Sequence, residues 1–215
     1  MAEGRTLMGT WGTAWSDAGF RRATWVGLAM ALPAAVLLPA FFTIIGAKPG
    51  FTPFDPVLAS IPARNVAVQI FVVLYVSVVW GIAALLPVPR AFIRMLHAYA
   101  ALLVLRMLSM YLVTFEPPPG IIPLVDPVTK LFYPGDTPFL KDLFFSGHTA
   151  TPLLFAFAAG AGGGRMLLAA CAAVVGVLVI VQHVHYSMDV LVAPLFAWLA
   201  WRVSAATMRL CGAVA

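Results

Sequence analysis

Charge is scarce in this chain. Only 10% of its 215 residues are Asp, Glu, Lys or Arg, against 62% that are hydrophobic, and a soluble core of ordinary size could not hide that much apolar surface. Cysteine is nearly missing too: Cys171 lies inside an apolar run and Cys211 near the end, so neither a disulfide framework nor a paired-thiol metal site is suggested. No internal repeat is present, and the glycines at 160 and 162–164 read as a tight turn with no nucleotide-loop pattern. Acidic residues are few enough to leave a net charge of +5. The basic residues stand at the ends of apolar segments, where they act as orientation signals, so nucleic acid is not an expected partner.

What the chain does have is long apolar runs. A hydrocarbon slab of about 30 Å takes roughly 20 apolar residues per helical crossing, and runs bounded by Pro, Gly and charge predict six crossings, near 23–46, 66–87, 91–114, 145–161, 166–184 and 188–206. The fold class is therefore all-α and polytopic: an N-terminal cytoplasmic or interfacial segment over 1–22, a six-helix domain over 23–206 and a cytoplasmic tail over 207–215. Trp11, Trp15 and Phe20 suit an interfacial segment, and Pro33 and Pro39 should kink the first crossing.

With both termini inside, the inner ends carry Arg5, Arg21, Arg22, Arg90, Arg94, Arg165, Arg202 and Arg209 against Glu3 and Asp17. The outer loops then hold Lys48, Arg64, Lys130 and Lys141 against Asp55, Glu116, Asp126, Asp136 and Asp142. This bias predicts an even number of spans with both ends cytoplasmic. The Ala- and Val-rich composition points to a bacterial inner membrane.

Two polar clusters interrupt the apolar runs. The first is "KDLFFSGHT", which sets His148 at the mouth of the fourth span; the second is "QHVHYSMDVLV". Counting along the helices at 1.5 Å per residue returns His183 and His185 to the depth of His148, with Arg106 at a similar level. His185 and Asp189 are four apart, so on a helix the carboxylate can hold one imidazole nitrogen and direct the other outward. Two imidazoles and a carboxylate suit phosphoryl transfer through a histidine. The Ser146-Gly147 peptide opens a helix, where amides favour phosphate oxygens and glycine allows close approach. His183 and His185 with Asp189 could alternatively hold a metal; residues two apart point apart on a helix, and no acidic cluster completes a shell. His97, midway along the third span, reads as a buried interhelical hydrogen-bonder.

These residues resemble the type 2 phosphatidic acid phosphatase superfamily, in the form of its sphingomyelin-synthase-like branch: Ser-Gly-His-Thr followed by His-x-His-Tyr-x-x-Asp. The chain matches at Ser146, Gly147, His148, Thr149, His183, His185, Tyr186 and Asp189, and "RMLSMYLVTFEPPPG" is similar to the branch's segment ending span three. The resemblance implies a phosphatidic-acid-phosphatase-type helical bundle with His185 as nucleophile, Asp189 as its orienter and His148 as acid, then base. The chain departs from the wider superfamily in having Val179 where that pattern has an Arg. "KLFYPGDTP" retains Lys130 and Pro138 but has Thr137 for Arg. Arg106 or Lys141 would then hold the phosphate with Ser146 and Gly147, while His183, Tyr186, Asp142 and Thr149 would support the site from behind.

The expected activity is that of a membrane-embedded lipid phosphatase or phosphotransferase working at the outer face without metal or cofactor, with the acyl chains left in the surrounding lipid. Hydrolysis is favoured because water needs no second binding pocket; transfer of a phospho-headgroup to a lipid alcohol such as ceramide or diacylglycerol is the alternative. A transporter or lipid-binding scaffold is the non-enzymatic one. The expected partners are a phospholipid or other lipid phosphate, membrane lipids and a second copy of the chain.

Overall fold

The computed structural model describes residues 7–126 and 139–213. Glu3, Arg5, Lys130 and Asp136 of the charge asymmetry, and the "KLFYPGDTP" stretch, lie outside the described residues. Eight helices are present among those described: α1 Leu7–Ser16, α2 Ala18–Ala47, α3 Pro56–Ser60, α4 Ala67–Leu85, α5 Pro89–Leu112, α6 Gly147–Ala158, α7 Gly163–Val181 and α8 Ser187–Leu210. The fold is all-α as expected; an isolated bridge between Phe51 and Phe115 is the one strand-like pairing described.

Five helices, α2, α4, α5, α7 and α8, are long and apolar enough to cross a membrane. The fourth expected crossing differs. Its helix, α6, has 12 residues, about 18 Å at 1.5 Å per residue, well short of the hydrocarbon thickness. Ser146 caps its start, and Gly160 and Gly162, at φ 70° and 139°, turn the chain into α7 in a conformation that glycine adopts without strain. The six-span count is thus approximate: five helices have the length and composition of a crossing, and α6, in the position of the fourth, is shorter. Two boundaries also shift. Asp17 accepts the Gly19 N–H at 2.9 Å and starts α2 at Ala18 rather than 23, and α8 runs past 206 until Gly212 turns it at φ 73°.

The helices pack where small residues let them approach. Across α2 and α5, His97 is fully buried, with Nε2 2.7 Å from the Ala23 carbonyl and Nδ1 2.8 Å from the Thr207 hydroxyl of α8. A carbonyl only accepts, so Nε2 carries the proton, and His97 is the interhelical hydrogen-bonder the sequence suggested. Gly27 makes room for it. At the same end of the bundle, α1 folds back so that Trp11 stands edge-on to Phe20 and Phe92 and donates to the Leu86 carbonyl at 2.8 Å. Large apolar side chains on the outside, such as Val36, Val68 and Leu191, remain exposed, as suits a lipid-facing belt.

At the opposite end the connections are laced to the α7–α8 turn. The Gln182 side chain accepts from Val66 N–H at 3.0 Å and donates to the Ile122 carbonyl at 3.2 Å, and Arg64 N–H donates to the Val181 carbonyl at 3.0 Å. Two long loops are thereby held over the turn that carries His185.

A Cβ added at Gly27 would lie 2.9 Å from His97 Cδ2, and the imidazole is held by hydrogen bonds to two other helices, so it cannot swing away. Gly27→Ala is expected to lower stability by about 1–3 kcal/mol, read as the thermal midpoint in detergent. An unchanged midpoint would mean that α2 is not clamped to α5 at this level.

Candidate active site

The site is built on the starts of α6 and α8. Ser146 takes the N-cap position of α6: its Oγ accepts from Thr149 N–H at 3.3 Å and meets Thr149 Oγ1 at 3.1 Å. Ala150 N–H reaches back to the Ser146 carbonyl at 3.0 Å, leaving the amides of Gly147 and His148 as first-turn groups with no intrahelical carbonyl. Across the gap, Asp189 sits at the third position of α8 and reaches back, its Oδ2 accepting Tyr186 N–H at 3.1 Å, as carboxylates in this helix position commonly do.

The same Oδ2 lies 3.2 Å from Nδ1 of His185, both side chains being essentially fully buried. A carboxylate accepts, so Nδ1 is the donor of this pair and Nε2 is the nitrogen turned away from Asp189. The His148 ring stands 5.7 Å from that of His185, centroid to centroid, inclined at 64°. Both line one cavity of about 640 Å³, shared with Arg106, Asp142 and Gly147. Buried polar atoms without a protein partner also point to this spot: Nδ1 of His148 and Oδ1 of Asp189 have none.

Arg106 reaches this group from α5 and pairs with Asp142. The guanidinium lies directly over the start of α6, where a Cβ on residue 147 would fall 1.1 Å from its Nη1, so only glycine admits it. Burial alone would raise the Asp142 carboxyl; the positive charge of Arg106 beside it outweighs this and holds it below the ordinary carboxylate range. Arg106 and Gly147 are thus together with both histidines, as the sequence suggested.

Other expected site residues are placed differently. Lys141 does not line the cavity: its ammonium is held by Glu116 at 2.8 Å and the Lys48 carbonyl at 2.9 Å, because the carboxylate lies on the loop beside it. Ser146 is likewise committed, with its hydroxyl in the cap and its N–H donated to the Asp189 carbonyl at 3.1 Å. Neither side chain lines the cavity. His183, at φ 58°, faces away from the cavity, with Nδ1 3.1 Å from the Pro119 carbonyl and Nε2 3.2 Å from that of Ile61. Tyr186 donates its hydroxyl to the Glu116 carbonyl at 3.0 Å. Burial, reinforced by Asp189, Asp55 and Glu116, pushes its phenol up to about 12, so it stays protonated. Thr149 is buried in the α6 cap.

Other residues at the site were missed. Asp55 caps α3 through Val57 N–H, and its other oxygen accepts Ser187 N–H at 2.6 Å at the start of α8, two residues past His185. The Asp-Pro pair is a readable helix-start signal, but the reach to Ser187, 132 positions away, is not. Tyr75, which donates to Asp126 at the cavity wall, carried no local signal.

The arrangement is a helical, membrane-type bundle with two histidines facing one cavity and the Asp189 carboxylate behind one of them. Residues 141–206, 66 of the 215, match the family model described as PAP2 superfamily C-terminal. That segment begins at Lys141 and takes in α6, α7 and most of α8, and with them His148, His185 and Asp189. No curated protein and no solved structure matches the chain.

Burial alone would raise the Asp55 carboxyl too, but its hydrogen bonds from Ser187, Leu58 and Val57 lower it overall. A folded value below the unfolded one stabilises above the ordinary Asp value of about 4, and that contribution is lost as pH falls through the lower folded value. Asp55→Asn is expected to lower the thermal midpoint at neutral pH, with wild type and variant converging as the medium is acidified. A gap that persists undiminished at low pH would assign the loss to something other than this ionisation.

Proposed function

We propose that the protein is a membrane-embedded lipid phosphatase or phosphotransferase that cleaves a lipid phosphoester through a phosphohistidine. The supporting observation is the 5.7 Å approach of the His148 and His185 rings on one cavity, with Asp189 behind His185 and Arg106 beside them. The match of residues 141–206 to the PAP2 superfamily supports the same reaction class.

The chemistry follows from the atoms. His185 Nε2, made nucleophilic by donation of Nδ1–H to Asp189, attacks phosphorus, forming a P–N bond as the P–O bond to the lipid alcohol breaks. His148 gives its proton to the departing oxygen. The non-bridging oxygens meet Arg106 and the amides of Gly147 and His148 at the start of α6, where fixed positive charge and helix-terminal N–H groups stabilise the charge that spreads over them. In the second step His148 takes a proton from the acceptor, whose oxygen bonds to phosphorus as the P–N bond breaks, restoring His185.

Water as acceptor makes the protein a phosphatase, which needs no second binding pocket and is the reading we favour. The sphingomyelin-synthase-like form of both motifs favours a lipid alcohol such as ceramide or diacylglycerol instead. The basic residues at the far end of the bundle, among them Arg21, Arg90, Arg94 and Arg209, support an orientation with both termini cytoplasmic and the site at the outer face.

Purified protein given phosphate-labelled phosphatidic acid in chelator, then quenched in alkali, is expected to carry acid-labile label, and His185→Ala is expected to carry none. Asp189→Asn should slow turnover by about 10²–10⁴-fold. His148→Ala should fail on alkyl phosphates yet regain the first step on a phenyl ester whose leaving group needs no proton. Phosphate release without protein-bound label, or full activity in His185→Ala, would overturn the covalent route.

A further inference from the structure

The cavity at the two histidines does not end with them. Its wall on α5 carries Arg106, Leu103, Tyr99, Leu96 and Phe92, spaced three or four apart and therefore on one helical face. From 106 to 92 that face runs about 21 Å at 1.5 Å per residue. The facing wall on α4 carries Leu74, Val78, Ile82 and Leu85, again at helical spacing, and covers about 17 Å. One leaflet of a hydrocarbon core of about 30 Å is about 15 Å deep. The cavity thus starts at the charged groups and runs past the middle of the membrane, and below Arg106 its lining is almost entirely apolar.

Its shape has a simple cause. The turn between α4 and α5 is Leu86 to Val88, with Val88 N–H donating to the Leu85 carbonyl at 2.9 Å, so the two helices are pinned together at one end while the cavity lies between them toward the site. Leu85 and Met95, both buried, sit at that apex and pack into the central core with Phe155 and Leu168. Phe92 closes it from α5, braced from behind by Trp11, whose ring stands edge-on at 5.6 Å and whose N–H is tied to the Leu86 carbonyl. The result is a slot with a fixed floor. The cavity, about 640 Å³ in volume, is continuous from the charged groups to that floor and is long enough for a hydrocarbon tail.

We infer that this slot holds a tail of the lipid substrate against the protein, and that the α4–α5 apex of Leu85, Phe92 and Met95 limits its length. The inference rests on the proposed lipid phosphoester chemistry for the identity of the headgroup, and it replaces the expectation that all acyl chains stay in the surrounding lipid. Arg106 and the histidines take the phosphate; the floor measures the chain. Trp11 is a positioning residue for that floor, since it touches Phe92 and not the tail.

Two measurements test this, one of them independent of turnover. Phosphatidic acid with a photoactivatable diazirine at the end of one tail is irradiated with the full-length protein in nanodiscs, and the labelled peptides are mapped. Label at Phe92 and Met95 is expected; label confined to lipid-facing positions such as Val72, Val76 and Val104 would overturn the slot. In the second, kcat/KM is compared over phosphatidic acids of short, medium and long chain. Leu103→Trp, which blocks the slot midway, should cut the long-to-short ratio by about tenfold or more, whereas Phe92→Ala and Trp11→Ala should shift the optimum toward longer chains. Val72→Trp, outside the slot, serves as control. Active variants with the wild-type chain profile would overturn the length limit. Apex labelling in a protein that turns over no phosphate ester would uphold the slot and overturn the enzymatic reading.

Discussion

One hydrogen bond joins the two halves of the site. Ser146 N–H, the donor that opens α6, is given to the carbonyl of Asp189 in the first turn of α8. Both groups are buried, where an unpaired backbone donor costs about 1–3 kcal/mol, so the helix starts cannot part without leaving that donor empty. The link sets the distance between His148, two residues past Ser146, and His185, four residues before Asp189. The Asp189 side chain then orients His185 and holds the Tyr186 amide. A single residue thus fixes its neighbour helix through its main chain and its own histidine through its side chain.

Around that link, several polar side chains are satisfied by the loops that cover them. Gln182, His183 and Asp55 each bond to loop backbone or to a helix start, and these bonds bring residues 55–66 and 113–122 against the turn at 182–186. In a chain so short of charge, hydrogen bonding of this kind supplies the positional precision that apolar packing alone leaves loose. It also explains why His183, despite its motif position, serves the loops: its nitrogens lie beside the carbonyls of Pro119 and Ile61, and the one that carries the proton donates.

The short α6 has a consequence for shape. A full crossing in its place would run beside α4 and α5 along their whole length; a helix of 12 residues instead lines the cavity from His148 to Phe155, where it meets the core cluster of Leu85 and Met95. Below it the space between α4 and α5 is closed by the hairpin apex and the core around Leu168. The charged site and the apolar slot are therefore continuous.

Much of this was open to reading in advance. Apolar runs set the all-α, membrane-spanning class because backbone groups in lipid must be satisfied within a helix, and the four-residue spacing of His185 and Asp189 announced their contact because it is local. His97 and Gly147 could be assigned for similar reasons: each is a residue type whose burial or smallness needs an explanation. What the sequence could not reveal involves partners far apart along the chain. Lys141 and Arg106 were equal candidates as cations, and only the positions of Glu116 and Gly147 separated them, sending one into a loop ion pair and the other over the start of α6. Asp55 reaching Ser187, the cap that occupies Ser146, and the slot beneath the histidines were decided by packing, because periodicity specifies which face of a helix is apolar but not how far two such faces stand apart.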